Sequence, residues 1–322
     1  MLTDQAFREA VGTAVLAPSL HNSQPWRFRR SGNRITVHAD PSRWLRHEDP
    51  LGRELLISCG GAVRHLILGL RVQELDVSWE LGPDPEDALF VAVVTVTGHR
   101  AASLTEVDLH TATRLRHTDR SRFNADAVEP VIIDRLRRLA ELEDCFLAEL
   151  DADDQISLAV LTDHADRLLR TDAGMRDESL GWTSTNLLPA EGVPADELAA
   201  RGGLRGSPVT LRRFGSRTPE QLVGADPPMT ERPTLLVLGT NGDSRQDWIA
   251  CGWTLSDLLL ALTSDGLVAS PLTQPLELPA YRQRLATALS LTGHPQMILR
   301  VGYPEGSGSP RTGRRAICDV IR

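Results

Sequence analysis

The chain has 322 residues, 41% hydrophobic and 24% charged, with a formal net charge of −8. At roughly 150 residues per domain this is about two domains of globular composition, which excludes a disordered or collagen-like chain. No run approaches the ~20 uninterrupted apolar residues of a membrane span. Asp4 and Arg8 stand where a signal peptide carries a basic start and an apolar run, so a soluble, cytoplasmic protein is expected. The acidic balance argues against wholesale nucleic-acid binding. All 35 basic residues are arginine. That removes Schiff-base and Walker-type lysine chemistry and leaves arginine alone to grip phosphate. Cys59, Cys145, Cys251 and Cys318 lie far apart without a C-x-x-C, as expected of reduced thiols in place of a disulfide framework or a zinc site.

In chain order, Asp4 to Leu16 predicts a helix with Phe7, Val11, Ala14 and Val15 on one face, stopped by Pro18. Arg34 to Asp40 alternates behind the turn signal Ser31-Gly32-Asn33 and predicts a strand. Leu55, Leu56, Cys59, Ala62, Val63, Leu66, Ile67 and Leu70 recur at helical spacing, a broad apolar stripe over about five turns. Phe90 to Thr97 reads as a strand, Pro130 to Leu142 as a helix with proline in its first turn, Phe146 to Leu150 as a strand and Ile156 to Leu169 as a helix. The stretch 171–232 is rich in Gly, Pro, Arg and Asp with weak periodicity; it is either a lid or a plain surface loop. Thr234 to Thr240 and Met297 to Gly302 predict strands. Between them Trp248, Cys251, Leu255, Leu258, Leu259 and Leu262 keep helical spacing.

These segments repeat. Shifting the chain by 192 residues lays Arg53 to Ser78 over Arg245 to Ser270 without a gap, and nine of the 26 positions coincide. Among the matches are Arg53/Arg245, Ile57/Ile249, Cys59/Cys251, Gly60/Gly252 and Leu66/Leu258. A period this long is a duplicated domain and not a solenoid. Two similar halves in one chain suggest a dimer fused into a monomer, with residues 1–104 as the first half and 105–322 as the second.

Two polar segments stand out. Ala17-Pro18-Ser19-Leu20-His21-Asn22-Ser23-Gln24-Pro25-Trp26 follows an amphipathic helix directly. Its prolines fix the backbone while Ser, His, Asn and Gln present donors and acceptors in a small volume. Such a run either hydrogen-bonds the rim of a heteroaromatic ring or satisfies its own backbone. Leu115-Arg116-His117-Thr118-Asp119-Arg120-Ser121-Arg122-Phe123 holds three arginines, a histidine and two hydroxyls. Guanidinium forks, hydroxyls and backbone N–H groups suit phosphate oxygens; the other reading is a solvated charged face, in which Asp119 pairs with some of the arginines. Arg311, Arg314 and Arg315 add a C-terminal basic cluster. The nine histidines are scattered, and neither H-E-x-x-H nor G-x-S-x-G occurs, which disfavours a metalloprotease or a serine hydrolase. His65 and His164 fall inside helical patterns and read as packing or surface positions.

The run A-P-S-L-H-N-S-Q-P-W-R-F at Ala17 to Phe28 resembles the A-P-S-x-x-N-x-Q-P-W signature of FMN-dependent nitroreductases. R-H-T-D-R at Arg116 to Arg120 resembles the motif with which those enzymes hold the flavin phosphate. V-G-Y-P-E at Val301 to Glu305, with Arg314 and Arg315 beyond it, resembles their C-terminal strand and trailing basic arm. Along nearly its whole length the chain is most similar to the mycobacterial Acg-type, nitroreductase-like family, which also shares a counterpart of Leu51 to Glu54 and two fused halves.

The resemblance implies an α+β fold of two fused nitroreductase-like halves, each an antiparallel-rich sheet packed with helices. It implies FMN as cofactor, with NAD(P)H as reductant and a small nitro or quinone compound as acceptor. Arg116, His117, Thr118 and Arg120 would hold the phosphate, and Arg314 or Arg315 would close over it. Ser19, His21, Asn22 and Gln24 would line the ring and ribityl chain. The backbone of Gly266, Leu267 and Val268 would lie along the isoalloxazine edge, with a backbone N–H at N5. No side chain is implied as catalytic acid or base, and no metal. The loop occurs only in the first half and the arginine motif only in the second, with Glu143 to Phe146 where the loop would recur. One FMN site between the halves is therefore expected, in a monomer acting as a pseudo-dimer. The alternative is a flavin-storing protein whose 171–232 segment covers the cofactor.

Overall fold

The segment Arg53–Arg71 is apolar on so many sides that it cannot lie at a surface: every residue except Arg64 is buried. A helix buried all round must have neighbours on more than one flank. A computed structural model describes residues 1–82, 84, 86–183, 190–193, 232–306 and 311–322. From the N-terminus run α1 (Asp4–Ala14), β1 (Trp26–Ser31), β2 (Arg34–Ala39), α2 (Arg53–Arg71), β3 (Leu75–Leu81), β4 (Phe90–His99) and α3 (Leu104–Thr113). Then come α4 (Pro130–Glu141), β5 (Cys145–Glu149), α5 (Ala152–Thr171), α6 (Ala173–Gly181) and β6 (Thr234–Thr240). The chain closes with α7 (Arg245–Ser264), β7 (Val268–Pro271), α8 (Gln274–Glu277), α9 (Pro279–Ala288), β8 (His294–Gly302) and α10 (Ile317–Val320). The fold is mixed α+β.

Two compact units interleave along the sequence. The first is Met1–Arg116 with Asp243–Asp265 and Gly313–Arg322; the second is His117–Gly242 with Gly266–Thr312. Each contains one antiparallel four-stranded sheet, ordered β1-β2-β4-β3 in the first and β5-β6-β8-β7 in the second. The second strand of each sheet slips register against the fourth, at Val37/His38 and at Leu238/Gly239. Ser31 pairs with Arg34 across a turn in which Gly32 takes φ 60°, a left-handed conformation that costs glycine nothing sterically.

Within the first unit α2 packs on α1, α3 and α7. Its contact with α7 is reciprocal. A Cβ on Gly60 would overlap the Ile249 carbonyl oxygen, and a Cβ on Gly252 would overlap the Ile57 carbonyl oxygen. Glycine at both positions lets the backbones meet, and Leu66, Leu68, Leu258 and Leu260 are fully buried. Each such side chain contributes about 1.5–3 kcal/mol relative to exposure. The stripe read from the sequence is real but too narrow: α2 is covered on all sides because α7, distant in sequence, lies against it.

In the second unit Leu158 of α5, Leu235 and Val237 of β6, Leu285 of α9 and Ile298 of β8 form one buried cluster. Helix α5 begins at Ala152, ahead of the apolar periodicity. The Asp151 carboxylate accepts the Asp153 and Asp154 N–H groups (both 2.9 Å), and Asp154 reaches back to the Asp151 N–H. This capping box sits in a polar stretch that periodicity alone does not read. Of the 171–232 segment, α6 is described, capped by Asp172 on the Met175 N–H (2.9 Å); residues 184–189 and 194–231, on which the lid expectation mostly rests, lie outside the described residues. Among the described residues no helix is long and apolar enough to cross a membrane.

Candidate functional site

In the first unit the chain passes from α1 to β1 through left-handed backbone at three residues that carry side chains: His21 (φ 47°), Asn22 (φ 55°) and Gln24 (φ 51°). Such conformations cost energy and persist where surrounding bonds over-determine them. The bonds are present. Ser19 Oγ accepts the Gln24 N–H (3.0 Å), and Gln24 Nε2 donates to Asn22 O (3.2 Å). Leu20 N donates to Ser58 Oγ on α2 (3.3 Å), and Arg43 Nε donates to Ser23 O. His21 Nε2 lies 2.6 Å from Glu48 Oε2, with both side chains buried.

The same loop holds the C-terminal tail. Asn22 Nδ2 donates to Gly313 O (3.2 Å), the Arg315 N–H to Gln24 Oε1 (2.8 Å), and the Arg315 guanidinium to Gln24 O (3.2 Å). Arg314 lies between these contacts, and burial pulls its pKa down to about 10. Arg116 is buried just beyond α3, its N–H on Ala112 O (2.8 Å). Both arginines act on His65, a fully buried α2 residue. Burial first, then the Arg116 charge, with Arg314 and Arg64 adding to it, push His65 down to about 3 against the Thr13 carbonyl's opposing bond. His65 is therefore neutral. Six of the predicted residues, Ser19, Asn22, Gln24, Arg116, Arg314 and Arg315, with His21 beside them, thus belong to one unit.

The remaining predicted residues belong to the second unit. Thr118 forms a bridge with Ala269, and the Asp119 N–H donates to Ala269 O (3.0 Å). The arginine motif and the segment following Gly266 are thereby adjacent, although far apart in sequence. Asp119 is fully buried and accepts the Ser121 N–H (2.8 Å) and hydroxyl (2.6 Å). His117 Nε2 lies 3.9 Å from its other oxygen. His117, Thr118 and Arg120 are half-buried; Gly266 is exposed at φ 76°, Leu267 buried and Val268 half-buried.

No protein-family model matches the chain. Full-length relatives do. A Mycobacterium tuberculosis protein described as "Putative NAD(P)H nitroreductase acg" is 31% identical over 100% of this chain and 96% of its own length. A second from the same organism, also described as a "Putative NAD(P)H nitroreductase", is 30% identical over 98% of this chain and 91% of its own. The chain belongs to the Acg-type, nitroreductase-like family. Among solved structures, the FMN-dependent nitroreductase NfnB of Mycobacterium smegmatis, in complex with NADPH, aligns at a TM-score of 0.42 and 16% identity, over 67% of this chain and 97% of that one. A nitroreductase-like protein of Anabaena variabilis aligns at 0.45 and 12%, over 84% and 69%.

Several residues around these segments are silent in the motifs. Arg300 of β8 is fully buried, stacks on Phe123 (3.7 Å from Cζ to the ring centroid) and donates from both terminal nitrogens to Ser121 O (3.1 Å each). It fixes the end of the arginine motif on the sheet. Its signal was an arginine inside the apolar run Met297 to Val301. Beside the loop lie Glu48, Asp49 and the buried Arg53–Glu54 pair (2.7 Å). Asp49 accepts the Leu55 N–H (2.8 Å) at the start of α2, and burial raises its pKa. Only Leu51 to Glu54 of this group was visible, through the resemblance.

Proposed function

We propose that this chain binds one FMN and works as an NAD(P)H-dependent oxidoreductase that passes electrons to a small nitro or quinone acceptor. The observation that carries the reading is that predicted site segments remote in sequence meet: the 19–24 loop with the 313–315 tail, and the arginine motif with the strand after Gly266. The residues present fit a phosphate dianion. Arg116 is buried and Arg314 half-buried, with burial lowering its pKa, and guanidinium charges in a low-dielectric surrounding are where a charge-assisted bond to phosphate is strongest. Arg116, Arg120 and Arg314 hold the phosphate, with His117, Thr118 and Arg315 around it. Ser19, His21, Asn22 and Gln24 line the ring and ribityl chain, and Gly266, Leu267 and Val268 offer backbone N–H groups to the ring edge. When bound, FMN supplies hydride acceptance and electron transfer; the chain's part is binding, orientation and electrostatics.

The same reading treats 1–104 and 105–322 as a duplicated pair acting as a pseudo-dimer. It is supported by the shared strand order, by the helices α2 and α7 that start at positions 192 apart, and by left-handed Glu74 and Gly266 at the same offset. A single cofactor follows because the second half has no counterpart of the 17–26 loop. Titrating the protein with FMN tests this directly: saturation at one per chain is expected, and two per chain overturns it. Replacing Arg116 and Arg120 together by Ala removes two charge-assisted contacts of about 1.5–3 kcal/mol each, so the double variant is expected to lose FMN. Anaerobic mixing of the loaded protein with NADPH should bleach the flavin promptly. Tight FMN without bleaching would make the chain a flavin store.

A further inference from the structure

The pair of helices α2 and α7 has two flanks that correspond under the reciprocal contact at Gly60 and Gly252. On one flank Arg64 Nε donates to Asp257 Oδ1 (2.7 Å), the Arg64 guanidinium lies over Trp253 (5.0 Å), and Trp79 packs on that indole (5.1 Å). The 192-residue offset exchanges Arg64 with Ser256, His65 with Asp257 and Gly61 with Trp253. The other flank therefore carries Ser256 and His65 where the first carries a salt bridge, and Gly61 where the first carries an indole.

That second flank is polar and buried. His65 and Ser256 are both fully buried, and neither His65 Nε2 nor Ser256 Oγ has a hydrogen-bond partner among the described residues. A Cβ on Gly61 would meet Ser256 Cβ at 4.0 Å and Pro18 Cδ, at the head of the polar loop, at 3.9 Å. Buried polar atoms without partners are costly, so their retention points to a group that supplies the missing bonds. The chemistry of that group follows from the tautomer. His65 Nδ1 lies 3.3 Å from the Thr13 carbonyl, which can only accept, so the ring proton is on Nδ1 and Nε2 presents a lone pair. A phosphate dianion has no proton to give such an atom. A hydroxyl has one.

We propose that His65 Nε2 and Ser256 Oγ bind the hydroxyls of the flavin's ribityl chain: a ribityl O–H donates to His65 Nε2, and Ser256 exchanges a hydrogen bond with a neighbouring hydroxyl. The inference rests on the FMN reading above. It adds two binding residues that no motif contains, and it divides the ligand between arginines for the phosphate and a His–Ser pair for the polyol.

The test is a set of fluorescence titrations of flavin-free protein with FMN, riboflavin (no phosphate) and lumiflavin (no ribityl chain). His65→Asn keeps a donor for Thr13 and loses the ε position. It and Ser256→Ala are each expected to weaken FMN and riboflavin by the same factor, roughly three- to tenfold for one hydrogen bond, and to leave lumiflavin unchanged. His65→Gln, which restores a polar atom near the ε position, should recover most of the loss. Arg116→Ala should weaken FMN alone. Unchanged affinity for FMN and riboflavin in both His65→Asn and Ser256→Ala, with lower stability of the flavin-free protein, would show a buried water joining the two atoms and overturn the proposal. Wild-type protein that binds none of the three flavins would overturn the FMN reading itself.

Discussion

The two sheets share a strand order but are entered differently. In the first unit, residues 15–25 separate α1 from β1, with three side-chain-bearing residues in left-handed backbone and the C-terminal tail bound to them. In the second, only Leu142, Glu143 and Asp144 separate α4 from β5, with one left-handed residue, Asp144 (φ 54°), exposed to solvent. The short turn shows what the fold requires between helix and strand. What the longer loop adds is therefore not needed to build a sheet. Its strain is held by Ser19, Gln24, Arg43 and Arg315, and its products are a fixed row of polar groups and a docked tail. The strand order is shared, and the strained loop with its docked tail belongs to the first sheet's entry.

Four experiments can break or sharpen that comparison. The largest effect is expected in the shared scaffold. Gly60→Ala and Gly252→Ala each push a Cβ into a facing carbonyl and should each cost about 3 kcal/mol or more in urea unfolding, by similar amounts because the contact is reciprocal. Gly61→Ala, with its nearest contact at 3.4 Å, should be near neutral; strongly unequal losses at 60 and 252 would sink the equivalence of the two helices.

Next comes the loop. Gln24→Gly relieves a left-handed side chain but loses the bonds to Asn22 O and Arg315 N. A net loss of about 1–2 kcal/mol is expected, with faster amide exchange in residues 313–322.

A smaller effect appears with pH. His65 titrates near 3 in the folded chain against 6.5 ordinarily, so below about pH 6.5 the unfolded chain takes a proton that the native state refuses. The contribution is whole above that range and declines as pH falls. Flavin-free protein should lose about 1 kcal/mol between pH 6.5 and 5.5 from this group, and His65→Asn should flatten the profile; parallel profiles would remove His65 from the account.

The smallest effect has the opposite sign. Asp144→Gly frees an exposed left-handed residue with nothing docked on it, and a gain of about 0.5 kcal/mol is expected. A gain of the same size for Gln24→Gly would mean the long loop's strain holds nothing.

Much of this was legible in the sequence. Thr234–Thr240 is the strand expected there, and Pro130 opens α4 as its fixed φ allows. Helix α3 went unread because its apolar residues, such as exposed Leu104 and Val107, mark no single face. In the site, the resemblance supplied the loop, the arginine motif and the tail, because those residues are contiguous. Arg300 and Glu48 went unremarked, and His65 read only as a packing or surface position, because each acts across the fold, on Ser121, His21 and the Thr13 carbonyl, partners that no local pattern names.

The sequence by itself determined the elements, their caps and turns, the 192-residue echo between α2 and α7, and the residue types available to hold an anionic, hydroxyl-rich ligand. Those properties depend on neighbours a few positions away along the chain. Tertiary structure alone decided that α7 packs on α2 beside the first sheet, that the tail returns to the loop, and that Arg64, Asp257 and Trp253 bond on one flank of the helix pair while His65 Nε2 and Ser256 Oγ on the other have no partner among the described residues. Such choices are made by close approach between distant segments, where a missing Cβ at Gly60 and Gly252 sets the distance and the side chains around it determine which polar groups find partners.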